Sequence, residues 1–118
     1  MATLMLDGPD LVVRLSPLEK LAAFRGNVRV PLHAVRSAQA EPDPWSALRG
    51  IRAPGTGIPG VIAYGARRFD GGPDFAAVLG SRPAVRVDLD GESPFARLVV
   101  SVADPDSTVA AIRGAAGI

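Results

Sequence analysis

The groups best suited to holding an anion gather on one stretch of the chain. Gly55-Thr56-Gly57-Ile58-Pro59-Gly60 matches G-x-G-x-x-G by letter, and Arg49, Arg52, Arg67 and Arg68 bracket it. Backbone N–H groups of a glycine-rich loop, together with guanidinium forks, can hold an anion. A nucleotide cradle asks for more. It needs a strand before the glycines and a helix after them, so that phosphate meets a helix N-terminus. Here Pro54 precedes the motif, Pro59 lies inside it, and the strand-like Val61-Ile62-Ala63-Tyr64 follows. The glycines therefore read as turn-makers, and the arginines as ties to carbonyls and carboxylates.

The remaining candidates are sparser. His33 is the single histidine. Catalysis would need a nucleophile or base beside it, and nothing in the sequence pairs it with Ser37, Ser46 or Ser101. It reads as a surface histidine. Asp88, Asp90 and Glu92 crowd together without the spacing or distal glutamate of a calcium loop, so they read as a strand end and its turn. With no cysteine and one histidine, zinc chemistry has no ligand set. No catalytic residue, metal or cofactor is expected. Trp45, the only tryptophan, suits either a partner's hot spot or a pin holding its own loop. Pinning is preferred, because a long ordered loop needs buried anchors. Any binding surface here would comprise Trp45, Arg49, Arg52, Arg67 and Arg68.

The elements that position these residues follow from periodicity. Leu11, Val13 and Leu15 alternate as a strand. Ser16-Pro17-Leu18-Glu19 then opens a helix, with Ser16 as N-cap, Pro17 at N1 and Glu19 completing a capping box. Leu18, Leu21 and Ala22 form its expected inward stripe, and Gly26 ends it. Val28 to Leu32 alternates again, with Pro31 marking an edge or bend. Val35 to Glu41 is a weaker strand, which a bulge would explain. The stretch from Pro44 to Gly65 holds three prolines besides its glycines, and it reads as a long irregular crossing. Strands are expected near Val61–Phe69, Asp74–Leu79, Val85–Leu89 and Ala96–Val102. Asp104 and Pro105 cap a last helix carrying Val109 and Ile112 inward.

Bulk composition narrows the classes. The 118 residues make one domain, 1–118, and the 13 basic and 12 acidic residues give a net charge of +1. That balance carries no nucleic-acid footprint. Twelve of the 13 basic residues are arginine, which suggests a GC-rich bacterial genome. The opening residues lack the basic and long apolar regions of a signal peptide. The longest uncharged run, Ala53 to Ala66, is too broken by Pro and Gly for a membrane helix. A cytoplasmic protein is expected. The mean hydropathy of +0.21 is high for a small single core, so some apolar surface is expected to meet a partner or a second copy.

Seven strands followed by a helix resemble the pleckstrin-homology superfold. More specifically, the chain resembles small bacterial pleckstrin-homology-like proteins of unknown function. The resemblance rests on Leu18-Glu19-Lys20-Leu21, Val30-Pro31-Leu32, the Arg49–Gly57 loop and Asp104-Pro105. It implies a mainly β fold with minor α: a barrel of two bent antiparallel sheets, a short helix after the first strand and a C-terminal capping helix. In this chain a helix occupies the place of the lipid-binding loop of eukaryotic relatives, so membrane contact is not expected. The expected role is a non-enzymatic protein-interaction or self-association module. The alternative is a small enzyme or ligand carrier using a cleft beside residues 49–60. A weaker one is anion or anionic-lipid binding through Arg49, Arg52, Arg67 and Arg68.

Overall fold

Alternating side chains build the first sheet of the computed structural model. The structure describes all residues except 1, 24, 50, 59, 69–72 and 92, and for 51–56 and 68 it describes the backbone alone. Leu11 and Val13 of β2 (Asp10–Arg14) are buried, as are Val28 and Val30 of β3 (Val28–Pro31). These strands pair antiparallel, and β1 (Thr3–Asp7) pairs antiparallel on the other side of β2. Periodicity does not predict β1. Most of its residues are exposed, so it has no inward-facing repeat to display.

Helix α1 (Pro17–Ala23) joins β2 to β3. Its capping box is present. The Glu19 amide donates to Ser16 Oγ at 3.2 Å, and the Ser16 amide donates to Glu19 Oε1 at 3.0 Å. The buried face, however, differs from the expected one, with only Ala22 of the expected stripe partly buried against the core. Leu18 and Leu21 are 76% and 68% exposed, while Glu19 and Ala23 are buried. The helix has only seven residues, and it turns the Glu19 carboxylate inward in place of the leucine stripe. The strand expected through Leu32 stops at Pro31, and Leu32–Ala34 forms a 3-10 turn.

The second sheet has six strands in the order β4-β8-β9-β7-β6-β5. They are β4 (Val35–Glu41), β5 (Ile51–Ile58), β6 (Ile62–Arg68), β7 (Asp74–Leu79), β8 (Ala84–Leu89) and β9 (Arg97–Ser101). The expected bulge in β4 lies between Val35 and Ser37. The expected irregular crossing is half wrong, because residues 51–58 are a strand. β5 is an edge strand, where proline is tolerated, and a register shift between Arg52 and Gly55 absorbs Pro54.

Two features separate this architecture from the expected barrel of about seven antiparallel strands. The described residues contain nine strands, and β4 and β5 remain as open ends of the larger sheet. In addition, β7 and β8 do not pair as a hairpin. Strand β9 inserts between them, parallel to β7 and antiparallel to β8. Ser101, at the end of β9, bridges the gap this leaves. Its hydroxyl accepts from the Leu79 amide and donates to the Arg82 carbonyl, each at 3.2 Å, and the residue is fully buried.

The main core is lined by β2, β3, β6, β7, β8 and β9 and by helix α2 (Pro105–Ala116). It includes Leu11, Val13, Val30, Leu32, Tyr64, Phe75, Val85, Val87, Leu98, Val100 and Ile112, with Ile62 partly buried against it. Leu79, expected with them, is only half-buried. Asp104 caps α2 by accepting from the Ser107 amide at 3.2 Å, and Gly117 ends it at φ 74°. Arg113 ties α2 to β4, its Nε donating to the Ala38 carbonyl at 2.8 Å.

We predict that Leu98→Ala destabilises the fold by about 2–5 kcal/mol, because its cavity cannot collapse against both sheets. Ser101→Ala is expected to cost about 1–3 kcal/mol by orphaning a buried amide and carbonyl. Urea denaturation checks both; losses below about 1 kcal/mol would contradict these placements.

Candidate functional site

The remaining crossing, between β4 and β5, is tied down by three side chains. Pro44–Ala47 forms a 3-10 turn that lies against β8 and β9. Trp45 Nε1 donates to the Gly80 carbonyl at 2.8 Å, just past the end of β7. Arg97 of β9 donates through Nη1 to the Ala47 carbonyl at 3.0 Å. Arg49 forms a fork onto Asp74, the first residue of β7, with Nε to Oδ2 at 2.8 Å and Nη2 to Oδ1 at 2.7 Å. Trp45 and Arg49 thus bind opposite ends of one strand. Between these ties a second apolar cluster forms on this face of the sheet. Ala47, Ala63, Ala76, Val78, Ala84 and Val99 make its centre, and Trp45 and Leu48 pack on it.

Among the described ion pairs, Arg49–Asp74 has the most deeply buried carboxylate. The Asp74 side chain is 3% exposed and that of Arg49 is 26% exposed. Hydrogen bonds to Asp74 raise the Arg49 pKa above its ordinary value, against the opposing effect of burial. Arg67 adds to the same corner, its Nε donating to the Arg49 carbonyl at 3.1 Å. Of the five sequence-predicted surface residues, Arg49 and Arg67 meet here, and Trp45 sits at the far end of β7. The side chains of Arg52 and Arg68 lie outside the described residues, though their backbones pair with Arg67 and Ile51. The glycine motif is a strand and a turn. Gly55 and Gly57 pair with Gly65 and Ala63, and Gly60, at φ 78°, sits in the turn into β6.

The acidic run also turns inward to structural work. Asp88 accepts from Arg97 Nε at 2.7 Å and pairs with Arg86 at 3.2 Å, and Arg86 pairs with Glu41 at 3.2 Å. These groups form a ladder across β4, β8 and β9. Glu92 lies outside the described residues. His33 is exposed in a shallow hollow of about 360 Å³ with Gly8, Pro9, Leu32, Ala115 and Ala116, none of which is a base or nucleophile. Ser101 is consumed inside the sheet, as above. No cluster of metal-ligating side chains occurs among the described residues. No helix among them is long and apolar enough to cross a membrane.

Sequence reasoning missed the Glu19–Tyr64 pair. Tyr64 of β6 and the Glu19 carboxylate interact, which links α1 to the second sheet. Burial and the nearby carboxylate push the phenol above its ordinary value of 10. For Glu19, burial acts to raise the pKa, but the bonds from Ser16 and Tyr64 outweigh it and hold the carboxyl below its ordinary 4.5. The signal in the sequence was the capping box, which already placed this carboxylate at the helix start.

No protein-family model, curated protein or solved structure matches the chain.

We predict that Arg49→Ala lowers stability by about 1–3 kcal/mol, since it strands a buried carboxylate. Thermal melts of this variant beside wild type check it, and unchanged melts would mean that the fork is a surface feature with no structural role. A second prediction concerns acid. Glu19 has a folded pKa below its unfolded one, so its contribution is complete above pH 4.5 and is lost as pH falls through the folded value. Wild type should therefore lose more stability than Glu19→Gln on acidification below that point. Parallel stability–pH curves for the two proteins would contradict this.

Proposed function

We propose that this protein is a non-enzymatic interaction module that associates with a second copy of itself through the face formed by α1 and the β5–β6 hairpin. One observation carries the reading: α1 turns its leucines outward, Leu18 at 76% and Leu21 at 68% exposure, while burying a glutamate. An isolated globular domain gains by the opposite arrangement. α1 packs on β5 and β6, and the hairpin joining those strands exposes Ile58 and Val61, each 52% accessible. β5 is also an open sheet edge. An edge strand beside exposed apolar residues suits the self-complementary contact of a two-fold dimer.

The scaffold is proposed to be of the pleckstrin-homology kind. Its strand-rich body and C-terminal helix support that reading, while the parallel β7–β9 pair is a departure from the expected layout. The engagement of Arg49 with Asp74 and of Trp45 with Gly80 favours an internal role for the crossing. Among the described residues, those lining the hollow at His33 include no second catalytic group.

The expected outcome is a concentration-dependent dimer by light scattering at micromolar protein. Leu18→Glu with Leu21→Glu should give a monomer with a nearly unchanged melting temperature, because both positions are exposed. A wild-type monomer at high micromolar concentration, or a dimer indifferent to both substitutions, would overturn the proposal.

A further inference from the structure

We propose that Met5 is a reversible oxidation site, at which a hydroperoxide converts the thioether to a sulfoxide and the Arg14 guanidinium holds the sulfoxide oxygen. The proposal is independent of self-association, since it rests on the outer face of the first sheet and on neither α1 nor the β5–β6 hairpin.

Strand register brings the two residues together. Met5 of β1 stands opposite Val12 of β2, and Val12 stands opposite Arg29 of β3. Residues paired in this way share one face of a sheet. Leu11 and Val13 belong to the main core, so the row through Val12 lies on the other face. Arg14, two residues beyond Val12, shares that outer face and is the diagonal neighbour of Met5. Its Nη1 donates to Met5 Sδ at 3.9 Å.

Two properties of this contact favour oxidation. Met5 is 39% exposed, so an oxidant in solution has access to the side chain. The guanidinium, with five donors, is directed at a thioether sulfur, which is a weak acceptor. Arg29, on the same face, instead takes two carboxylates, Asp7 at 2.7 Å and Asp10 at 2.9 Å. None of the described ion pairs involves Arg14. A sulfoxide oxygen is a far better acceptor than thioether sulfur, and the methionine side chain has the rotational freedom to present it. Oxidation of a core methionine disrupts packing. Met5 lies on an exposed strand, where there is little packing to lose and a cationic donor already in place.

The step balances without a metal. A sulfur lone pair attacks one peroxide oxygen, and the S–O bond forms as the O–O bond breaks. A proton passes to the departing oxygen, which leaves as water or an alcohol. Sulfur gives up two electrons and the peroxide takes them. Two thiols of a sulfoxide reductase reverse the change, yielding a disulfide and water.

The test uses the full chain with ¹³C-methyl methionine and ¹⁵N arginine, treated with hydrogen peroxide. Met5→Leu assigns the Met5 methyl signal. In the folded chain that signal should convert to the sulfoxide within about fivefold of its rate in urea, as exposure of the side chain allows. Conversion should shift the Arg14 side-chain signals, and a methionine sulfoxide reductase with dithiothreitol should restore them. The change in melting temperature on oxidation should be about 2–4 °C more favourable in wild type than in Arg14→Gln, the size expected of one exposed hydrogen bond to a charged group. Slower conversion than this, Arg14 signals unmoved by oxidation, or equal melting changes in wild type and Arg14→Gln would each overturn the proposal.

Discussion

The larger sheet depends on a buried carboxylate finding its partner. Asp74 opens β7 with its side chain almost wholly out of water. A lone charge there would carry a desolvation cost, which the Arg49 fork offsets. That requirement fixes the course of the chain from β4 to β5. To deliver Arg49 to the start of β7, the crossing must lie across the sheet, and Trp45 and Arg97 fasten it on the way. The covered face then becomes a second apolar cluster. This explains why β7 is buried on both sides, with Phe75 and Ala77 facing the main core and Ala76 and Val78 facing the crossing.

A fully covered strand can sit in mid-sheet and accept a parallel neighbour. β9 takes that place, so the β7–β8 connection spans a gap one strand wide. Backbone groups at the end of β7 would otherwise lose partners where β9 finishes. The Ser101 hydroxyl replaces them by donating and accepting at once, which no aliphatic residue can do. The parallel β7–β9 pair joins strands separated by the whole of β8, a more distant pairing in sequence than a β7–β8 hairpin would be.

How much of this was legible in the sequence differed by element. β2, β7, β8, β9 and α2 were plain, because each combines a periodic apolar face with clear end signals. β1 was invisible because it contributes little to the core. β5 was hidden because an edge strand with a bulge can use Pro54 and glycines that look irregular when read locally. The insertion of β9 left no local trace, since no residue type encodes which neighbour a strand takes. At the candidate site, the internal role of Arg49 was readable from the scarcity of other uses for it. Its partner was not, since Asp74 is distant in sequence.

Helix α1 shows two local rules in conflict, and the outcome bears on function. Its leucine stripe called for Leu18 and Leu21 inside, and its capping box called for Glu19 turned back on Ser16. Burying a leucine side chain is worth about 1.5–3 kcal/mol, whereas a cap of this kind contributes about 1 kcal/mol. On those magnitudes alone the leucines should have won. The interaction with Tyr64 adds to the carboxylate's side, and Ala22 and Ala23 still give the helix a small inward face. Even so, the free monomer leaves two leucine side chains in water. A second copy covering α1 would recover that unused burial without disturbing the cap.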